Sequence, residues 1–506
     1  MKVLICIPLL EAGGTEIQTL NTVQALVEGG HEVSVACYFE HTSDMVDRYR
    51  KAGAEVILFS PEGVRVGGYK SILFLYKHLR RAVRAVRPDV VHVQYMAPGA
   101  TVILLLWLMG VKNIIATAHT AADIYRDLRL IHFLQRRCLR AFTCITERAE
   151  RSFFGSSQLY TPDLVLGRRN HFTIYNALPK ATVLQTTDNG QRTRFVPMSE
   201  NQVRLNSHSE CSQSSTTKLL TDSHPEENTK LSTLNAKQEN SHTDFTDYTE
   251  NASLAGNINL TQTSQNSRNN ISEQDNQREL DTIAQNTHCY ARVGQDSQRL
   301  NVDVNENENC HPDGDTKHYT LNSKLNTKRT LGVVSRLEPI KGMDLVVPAF
   351  AEVLKAYPAT QLLVVGDGTL RASMEEQAAL LACADHIRFV GRQPQEELSQ
   401  WYSQMDIVLM PSRSEGFGLT AIEAMAHGCV MVASDVGGLP EVVRDGICGL
   451  LHRTEDVADM ASKISSLIGD PALYTQLRAQ SLVEVEKYSF ERYAALMNDL
   501  YNKLGR

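Results

Sequence analysis

The stretch MDIVLMPSRSEGFGLTAIEAMAHGCVMVASDVGGLPEVV, residues 405–443, decides the fold of this chain. Its apolar run 406–410 is bounded by a proline and a polar cluster, which predicts a buried strand that leads into a loop at 412–417. The apolar residues that follow recur at helical spacing and stop at Gly428, a residue suited to a left-handed helix cap. A second apolar run, 430–433, predicts the next strand. Strand, loop, helix and strand in this order form the unit of a parallel α/β sheet.

The loop of this stretch is suited to an anion. Gly416 and Gly418 lie where a helix begins, so that unpaired N–H groups and the positive end of the helix dipole face the loop. Glu415 precedes the helix and Glu423 lies within it; at about 100° per residue they differ by about 80° around a helix axis, so both can face one crevice. A second glycine loop, 437–438, repeats the arrangement after the next strand. We expect two anion-binding loops to flank one site.

The start of the chain is organised in the same way. An apolar strand, 3–7, leads to Gly13 and Gly14, and then to a helical pattern over 15–28 and a strand over 32–37. Open α/β sheets bind ligands at the carboxyl ends of their strands, where this glycine pair lies. The glycine spacing is not the dinucleotide fingerprint, so a nicotinamide enzyme is not favoured.

Composition and charge describe a globular protein with an uneven charge distribution. The 506 residues, with a net charge of −7, are enough for two domains with large cores. Residues 1–183 carry 22 Lys and Arg against 15 Asp and Glu, so the N-terminal part is basic although the whole chain is acidic. The ten cysteines follow no metal-ligand spacing, which favours buried thiols in a reducing compartment.

The sequence predicts no segment that crosses a bilayer. Its longest apolar run, 102–109, is far shorter than the roughly 20 residues a helical span needs, and the start of the chain is a poor signal peptide. A helix predicted over 69–87 carries six Lys or Arg and no acid. Such basic amphipathic helices lie on anionic membranes or are ordinary surface helices, and both interpretations stay open. We therefore expect a cytoplasmic protein, with peripheral contact at the cytoplasmic membrane face as an alternative, and no nucleic-acid partner.

The central segment 184–328 differs in composition from the rest. It is dense in Asn, Ser, Thr, Gln and Asp and has no sustained apolar period, so it is predicted to be a disordered insertion. Its Asp-Gly-Asp at 313–315 resembles a metal motif, but in such a composition this pattern is expected by chance. No chemistry is assigned to this segment.

Several motifs occur together outside the insertion. Glu415 and Glu423 are separated by seven residues that begin Gly-Phe-Gly; Arg336-Leu and Lys341-Gly follow a predicted strand; and His119 ends another predicted strand. This combination resembles the retaining glycosyltransferases of family 4, which have the GT-B fold. The resemblance covers nearly everything outside the insertion.

The resemblance implies an α/β fold of two doubly wound, parallel-sheet, Rossmann-like domains that face a cleft. We expect an N-terminal acceptor-side domain over 1–183, a C-terminal donor-binding domain over 329–490, and a last helix, about 491–506, that packs back on the first domain. The implied reaction moves a sugar from a nucleotide diphospho-sugar to an acceptor hydroxyl with retention and without a metal or other cofactor. The implied acceptor is a glycan or a lipid-linked molecule, in polysaccharide, glycolipid or cell-envelope glycan synthesis.

The resemblance also assigns residues to the site. Arginine in fork geometry and a mobile lysine can hold a diphosphate, and a helix N-terminus adds positive potential where a nucleotide departs. The implied catalytic residues are His119, Arg336, Lys341 and Glu415. The implied donor-binding residues are Gly13, Gly14, Gly391, Arg392, Gly416, Phe417, Gly418, Leu419 and Glu423.

Two other kinds of protein fit part of the pattern. One is a catalytically idle nucleotide-sugar-binding protein whose insertion recruits partners, and slow hydrolysis of a donor would distinguish an enzyme from it. The other is a related GT-B enzyme such as an epimerase or a phosphorylase. An epimerase lacks the glutamate pair, and the lysine signature of a phosphorylase is absent from the sequence.

Removal of the insertion tests its predicted lack of structure. We expect that deleting Thr187 to Asn326 and joining the ends with a short Gly/Ser linker keeps the donor turnover, because closing a surface loop costs only about 0.6 kcal/mol per doubling of its length. The measurement is donor turnover of the shortened chain beside that of the full chain. Loss of soluble, active protein would contradict the prediction.

Overall fold

Seven strands form a parallel sheet in the N-terminal part of the computed structural model, which describes residues 1–122, 125, 128–167, 170–180 and 328–505. Their order in the sheet is β3-β2-β1-β4-β5-β6-β7. The strands are β1 (Lys2–Ile7), β2 (Glu32–Cys37), β3 (Glu55–Leu58), β4 (Val90–Gln94), β5 (Ile114–Ala118), β6 (Ala141–Cys144) and β7 (His171–Thr173).

Six strands form a second parallel sheet in the described C-terminal part, in the order β10-β9-β8-β11-β12-β13. They are β8 (Thr330–Val334), β9 (Gln361–Val365), β10 (Ile387–Gly391), β11 (Ile407–Met410), β12 (Val430–Ser434) and β13 (Gly449–His452). Residues 405–443 supply β11 and β12, which are neighbours in the sheet and pair from Ile407 and Val430 onward.

Helices connect the strands as crossovers. The first sheet has α1 (Gly14–Glu28), α2 (Ser43–Lys51), α3 (Tyr69–Val86), α4 (Met96–Leu108), α5 (Arg129–Arg137) and α6 (Glu147–Phe154). The helices of the C-terminal part are Val346–Ala356, Arg371–Leu380, Leu398–Tyr402, Leu419–Ala426, Leu439–Val442, Val457–Gly469, Pro471–Glu484 and Phe490–Leu504.

Each sheet is buried on both faces. In β1, Val3 and Ile5 belong to one apolar core, whereas Leu4 and Cys6 belong to another on the opposite face. The second sheet likewise separates two cores. Alternate residues of a strand point to opposite faces, so this division is the mark of a doubly wound sheet. The predicted fold class, two doubly wound parallel-sheet domains, is confirmed.

The last helix, Phe490–Leu504, packs on α1 of the first sheet. Tyr493 shares a hydrogen bond of 2.7 Å with the Thr22 hydroxyl, and the Asn498 amide donates to the Ala25 carbonyl at 2.9 Å. Leu500 is fully buried in the core on that face of the first sheet. The final helix of the sequence therefore completes the N-terminal half.

Both sheets reverse their strand order at one point, and ligands of open α/β sheets bind at such points. In the first sheet the reversal lies between β1 and β4, and in the second between β8 and β11. The loop after β1 contains Gly13, and Gly14 begins α1; the loops after β8 and β11 contain Arg336 and Glu415. The topology alone thus brings these predicted residues to the two switch points.

The chain leaves the first sheet at Thr173, where β7 ends, and the Ala177 N–H donates to Gln18 Oε1 at 3.0 Å. The predicted insertion 184–328 lies outside the described residues, except for Lys328.

Among the helices that the structure describes, none is both long and apolar enough to cross a membrane. The described cysteines are all buried and form no disulfide with one another. They behave as small apolar side chains and are distributed over the four cores of the two sheets.

Candidate functional site

The carboxyl edges of the two sheets meet at glycine contacts. A Cβ atom added to Gly416 would lie 2.4 Å from the carbonyl oxygen of His119, and one added to Gly14 would lie 3.5 Å from Leu419 Cδ1. All four residues were predicted from the sequence. The structure brings them together across the cleft between the two halves.

The loop before the helix Leu419–Ala426 is fixed by a glycine conformation and by the packing of one buried ring. Gly418 has a φ of 101°, a conformation that glycine adopts without a steric penalty. The Phe417 ring is buried and packs 5.6 Å from the ring of Tyr488 and 6.2 Å from that of Tyr175. Phe417 therefore anchors the loop, while the backbone on either side stays at the cleft.

Glu415 and Lys341 form an ion pair at this loop. Lys341 Nζ lies 2.7 Å from Glu415 Oε2, with 21% and 14% of the two side chains exposed. Lys341 ends a 3-10 turn that Gly342 terminates with a φ of 67°. A Cβ atom on Gly342 would lie 1.9 Å from the Pro411 carbonyl oxygen, so only glycine lets the two loops approach this closely.

Arg413 connects the loop after β11 to the turn that contains Lys341 and Gly342. The sequence analysis did not identify this residue. Its guanidinium donates to both carboxylate oxygens of Asp344, at 2.7 and 2.8 Å, and to Glu455 at 2.8 Å. The bonds from Arg413 lower the pKa of Asp344. A paired planar fork of this kind fixes geometry as well as charge. Its sequence signal was weak, because the two acidic partners lie 69 and 42 positions away.

Arg336 lies just after β8 with an exposed side chain. Its positive charge acts on two groups of the other half, because it lowers the pKa of both Glu16 and Tyr95 against the larger effect of burial. Arg336 therefore lies at the cleft, within electrostatic range of the N-terminal half. An exposed guanidinium in this position can meet an anion.

Glu16 is a buried carboxyl group at the cleft. It is 2% exposed, and it accepts a hydrogen bond of 2.8 Å from the Tyr95 hydroxyl. Burial raises its pKa to about 7. A Cβ atom on Gly13 would lie 2.3 Å from Glu16 Oε2, so the carboxyl packs directly on the glycine loop. The sequence signal for Glu16 was its position two residues after Gly14.

Tyr95 and His119 lie side by side at the ends of β4 and β5. Tyr95 has a φ of 62°, which is uncommon for a residue with a Cβ atom and is often found at functional sites. Its ring lies 5.3 Å from the His119 ring. His119 Nε2 lies 2.8 Å from Gln94 Oε1, and burial lowers the pKa of His119 to about 3. The imidazole is therefore neutral at physiological pH.

Glu423 is buried inside the helix Leu419–Ala426. Its carboxylate accepts from the Tyr402 hydroxyl at 2.9 Å and from the Gln395 amide at 2.8 Å, and burial raises its pKa. The angle of about 80° around a helix axis does not describe how Glu415 and Glu423 are placed, because the helix begins only at Leu419 and Glu415 lies before it. The structure gives each carboxylate its own partners.

Gly391 and Arg392 lie at the carboxyl end of β10, beside the helix that carries Glu423. Gly391 has a φ of 81° and accepts from the Gly366 N–H at 2.9 Å, and Arg392 is exposed. Gln395, from the same loop, reaches Glu423. This loop therefore adjoins the Glu423 side of the cleft rather than the Glu415 side.

The second glycine loop does not act as the sequence predicted. The Gly438 N–H already donates to the Glu415 carbonyl at 3.1 Å, and a Cβ atom on Gly437 would lie 1.7 Å from that oxygen. The expectation of a second anion-binding loop is therefore wrong at Gly438. The loop supports the first one from behind.

Just beyond that loop, Glu441 crosses to the other half of the structure. Its carboxylate accepts from the backbone N–H groups of Glu147, at 2.8 Å, and Arg148, which begin α6. Burial raises the pKa of Glu441, and the helix N-terminus favours its charged form. This cap joins the two halves at the edge of the cleft.

The cleft thus combines an exposed guanidinium, a lysine–glutamate pair, a helix start framed by glycines and a neutral imidazole. Cations and backbone N–H groups suit a phosphate-bearing ligand, and the carboxylates and the imidazole suit hydroxyl groups. Groups of His, Cys, Asp and Glu arranged to hold a metal ion do not occur in the described part of the chain.

Family models match both halves of the chain. A model described as Glycosyltransferase Family 4 matches residues 12–158, and one described as Glycosyl transferases group 1 matches residues 320–482. The D-inositol 3-phosphate glycosyltransferase of Nocardia farcinica is 33% identical over 245 residues, which are 44% of this chain and 53% of that protein. The enzyme of that name from Streptomyces bingchenggensis is 35% identical over 180 residues, 34% of this chain and 40% of that protein. The chain spans about half the length of the curated relatives it matches, or less.

Solved structures show the same fold. Anabaena Alr3699/HepE, solved in complex with UDP, superposes with a TM-score of 0.59 at 13% identity, covering 99% of this chain and 100% of that one. The sucrose-phosphate synthase of Thermosynechococcus elongatus has a TM-score of 0.56 at 16% identity, covering 100% and 99%. At these identities the likeness establishes the architecture of two facing sheets.

Changing Glu16 to Gln should stabilise the protein at pH 8 much more than at pH 5. The pKa of Glu16 in the folded protein, about 7, lies above its ordinary value of 4.5. The free energy of unfolding is therefore highest below pH 4.5, where Glu16 is protonated in both states, and it falls as the pH rises through 7. Glutamine imitates the protonated acid, and the difference in unfolding free energy should be about 2–3 kcal/mol. Melting curves at both pH values measure it.

The control is Glu28→Gln, an exposed carboxylate at the other end of α1. It should change the melting temperature similarly at the two pH values. If Glu16→Gln also behaves in this way, the carboxyl is not held protonated by its surroundings.

Proposed function

This chain belongs to glycosyltransferase family 4 and has the GT-B fold, and from that premise we propose that it transfers a sugar from a nucleotide diphospho-sugar to an acceptor hydroxyl. The observation that carries the proposal is the contact of Gly416 with His119, because it sets the helix start and the Lys341–Glu415 pair opposite the imidazole in one cleft. HepE, solved with UDP, has the same fold and supports a nucleotide ligand for this cleft.

The diphosphate is the part of the donor whose charge changes. As the glycosidic bond breaks, negative charge grows on the departing nucleotide, and groups aimed at that charge stabilise the transition state. Arg336 is exposed at the cleft, and the first turn of the helix Leu419–Ala426 presents backbone N–H groups. Lys341, paired with Glu415, adds a positive charge that a phosphate can share.

The sugar is expected between Glu415 and His119. A carboxylate accepts hydrogen bonds from hydroxyl groups, and a neutral imidazole has one donor and one acceptor nitrogen. The ion pair with Lys341 orients Glu415. Because the His119 pKa is lowered to about 3, this residue contributes hydrogen bonding rather than charge.

The nucleoside is expected on the Glu423 side, near Gly391 and Arg392. Tyr402 and Gln395 each occupy one lone pair of the Glu423 carboxylate, and a carboxylate offers about four such positions. Glu423 can therefore still accept from ribose hydroxyls while its two partners hold it in place.

We further propose that transfer occurs with retention and without a metal ion, as in the family. Arg336, Lys341 and the helix start supply positive potential where a metal would otherwise do so. Anomeric analysis of the first product by NMR, and turnover measured with and without EDTA, test these two points.

A panel of purified nucleotide diphospho-sugars tests the overall proposal. Slow hydrolysis of one donor, detected by mass spectrometry, is expected, followed by transfer when an acceptor is added. Inositol 3-phosphate belongs in the acceptor panel because the relatives carry it in their names, and lipid-linked glycans belong there as the class implied by the sequence. Binding of a donor without hydrolysis or transfer would favour an idle binding protein.

We also propose that the N-terminal half docks on an anionic membrane, where a lipid-linked acceptor lies. The middle of α3 exposes Ile72, Leu73 and Tyr76 beside the basic residues of this helix. The neighbouring helices α4 and α5 expose Leu108 and Leu130, so apolar and basic side chains share one face of the first sheet. A surface of this composition suits the headgroup region of a bilayer.

Kinetics of single variants separate the roles within the cleft. Arg336→Ala and Lys341→Ala should lower kcat by roughly 10–100-fold, because their partner gains charge in the transition state. Glu423→Gln should instead raise KM by about tenfold, the effect of one hydrogen bond to a charged group, because ribose does not change during the reaction. Glutamine is chosen over alanine because it keeps an acceptor for Tyr402.

Lys355→Ala, an exposed change remote from the cleft, serves as the control and should alter neither constant. Melting curves exclude unfolding. A fall in kcat for Glu423→Gln as large as that for Arg336→Ala, at constant KM, would refute this division of roles.

Vesicle co-sedimentation tests the membrane surface. Changing Arg80, Arg81, Arg84 and Arg87 to Ser should greatly weaken binding to anionic vesicles, since each basic residue near such a surface contributes about 1 kcal/mol. Leu73→Ser should weaken it by a smaller amount, and vesicles of neutral lipid should bind neither form well. Unchanged binding of the fourfold variant would rule out this surface.

A further inference from the structure

A chain of hydrogen-bonding side chains leads from His119 at the cleft into the last helix. His119 Nε2 lies 2.8 Å from Gln94 Oε1, and Gln94 Nε2 lies 3.4 Å from His92 Nε2. The other nitrogen of the same ring, His92 Nδ1, lies 2.7 Å from the Tyr501 hydroxyl. The chain joins residues that are 409 positions apart in the sequence.

The members of this chain are shielded from solvent. His92, Gln94 and Tyr501 are at most 2% exposed. Burial lowers the pKa of His92 to about 3, as it does for His119. Both rings are therefore neutral, and each has one nitrogen that donates and one that accepts.

The Gln94 amide couples the two rings. It faces the Nε2 atom of both, with its oxygen toward His119 and its NH₂ group toward His92. An amide oxygen only accepts and an amide nitrogen only donates, so with this orientation of the Gln94 amide the two Nε2 atoms have opposite roles. His119 then carries its proton on Nε2, while His92 carries its proton on Nδ1 and donates it to Tyr501.

The remaining contacts of His92 accommodate this pattern. Thr117 Oγ1 lies 2.6 Å from His92 Nε2 and 2.6 Å from Thr143 Oγ1. A hydroxyl can both donate and accept, so in this pattern Thr117 donates to His92 Nε2 and accepts from Thr143. Buried polar groups need such complete pairing, because an unpaired one costs about 1–3 kcal/mol.

We propose that Tyr501, His92 and Gln94 are positioning residues that fix the tautomer and orientation of His119, so that its Nδ1 atom is the ring acceptor for a hydroxyl of the donor sugar. The sugar contact rests on the proposed function, whereas the coupling of the rings rests on the hydrogen bonds alone. The last helix thereby acts on the cleft through the interior of the first sheet.

Two tyrosines of the same helix provide a matched test. Tyr501 and Tyr493 are both buried and each has a hydrogen-bonded hydroxyl. The partner of Tyr493 is Thr22, which does not belong to the series of hydrogen bonds between Tyr501 and His119. In Tyr501→Phe the His92 Nδ1 proton loses its acceptor, which favours the other tautomer of His92, reversal of the Gln94 amide and transfer of the His119 proton to Nδ1. Tyr493→Phe should leave all three groups unchanged.

Two measurements on the full-length protein report the outcome. Two-bond ¹H–¹⁵N correlation spectra of ¹⁵N-histidine protein, assigned with His119→Asn, should show His119 protonated on Nε2 in wild type and altered in Tyr501→Phe only. Donor hydrolysis should fall about tenfold in kcat/KM in Tyr501→Phe, which corresponds to about one hydrogen bond, with little change in Tyr493→Phe.

Gln94→Met keeps the length of the side chain but removes both bonds, and it should make the His119 spectrum insensitive to Tyr501→Phe. An unchanged His119 spectrum in Tyr501→Phe, or equal changes in both tyrosine variants, would overturn the coupling. An altered spectrum with unchanged kcat/KM would overturn the positioning role. The spectra need no donor, so failure of the wild type to turn over any donor would count against the proposed function and not against the coupling.

Discussion

The contact between the Gly416 backbone and the His119 carbonyl is the constraint on which the site depends. A side chain at Gly416 would lie 2.4 Å from that oxygen, and on its other side the Gly416 carbonyl lies 2.4 Å from the Cβ position of Gly438. The Gly416 loop thus lies between the His119 backbone of the N-terminal half and the Gly438 loop of its own half. Glycine has no Cβ atom, so it permits backbone segments to approach at distances that no other residue tolerates.

Around this contact, charged groups are buried only with partners. Glu415 has Lys341, Glu423 has Tyr402 and Gln395, and Glu441 has the start of α6. Removing a carboxylate from water is costly unless hydrogen bonds replace the lost hydration. Burial raises the pKa of Glu423 and Glu441 as well as that of Glu16. The pKa of Glu16, which accepts from the Tyr95 hydroxyl, rises to about 7, so this buried carboxyl group titrates near neutral pH.

The last helix, Phe490–Leu504, contacts both the surface and the interior of the first sheet. Its residues Tyr493 and Asn498 bond to α1, and Tyr501 bonds to His92 inside the first sheet. The helix follows the second sheet in sequence yet lies in the core of the first. A chain that returns in this way connects the two halves a second time, in addition to the segment between β7 and β8.

The sequence by itself determined the strand–helix–strand units and the glycine loops, because hydrophobic period and glycine position are local properties of the chain. The two doubly wound sheets and the family followed from the resemblance that its motifs carry. The sequence also indicated which residues gather at the cleft, since strand ends at a switch point meet whatever the details of packing. Only the tertiary structure decided that Gly438 supports Glu415 rather than binding an anion, that Glu423 has Tyr402 and Gln395 as partners, and that Glu16 and Tyr95 belong to the cleft. Those facts depend on hydrogen bonds and burial between segments far apart in sequence, and such contacts exist only once both sheets are packed.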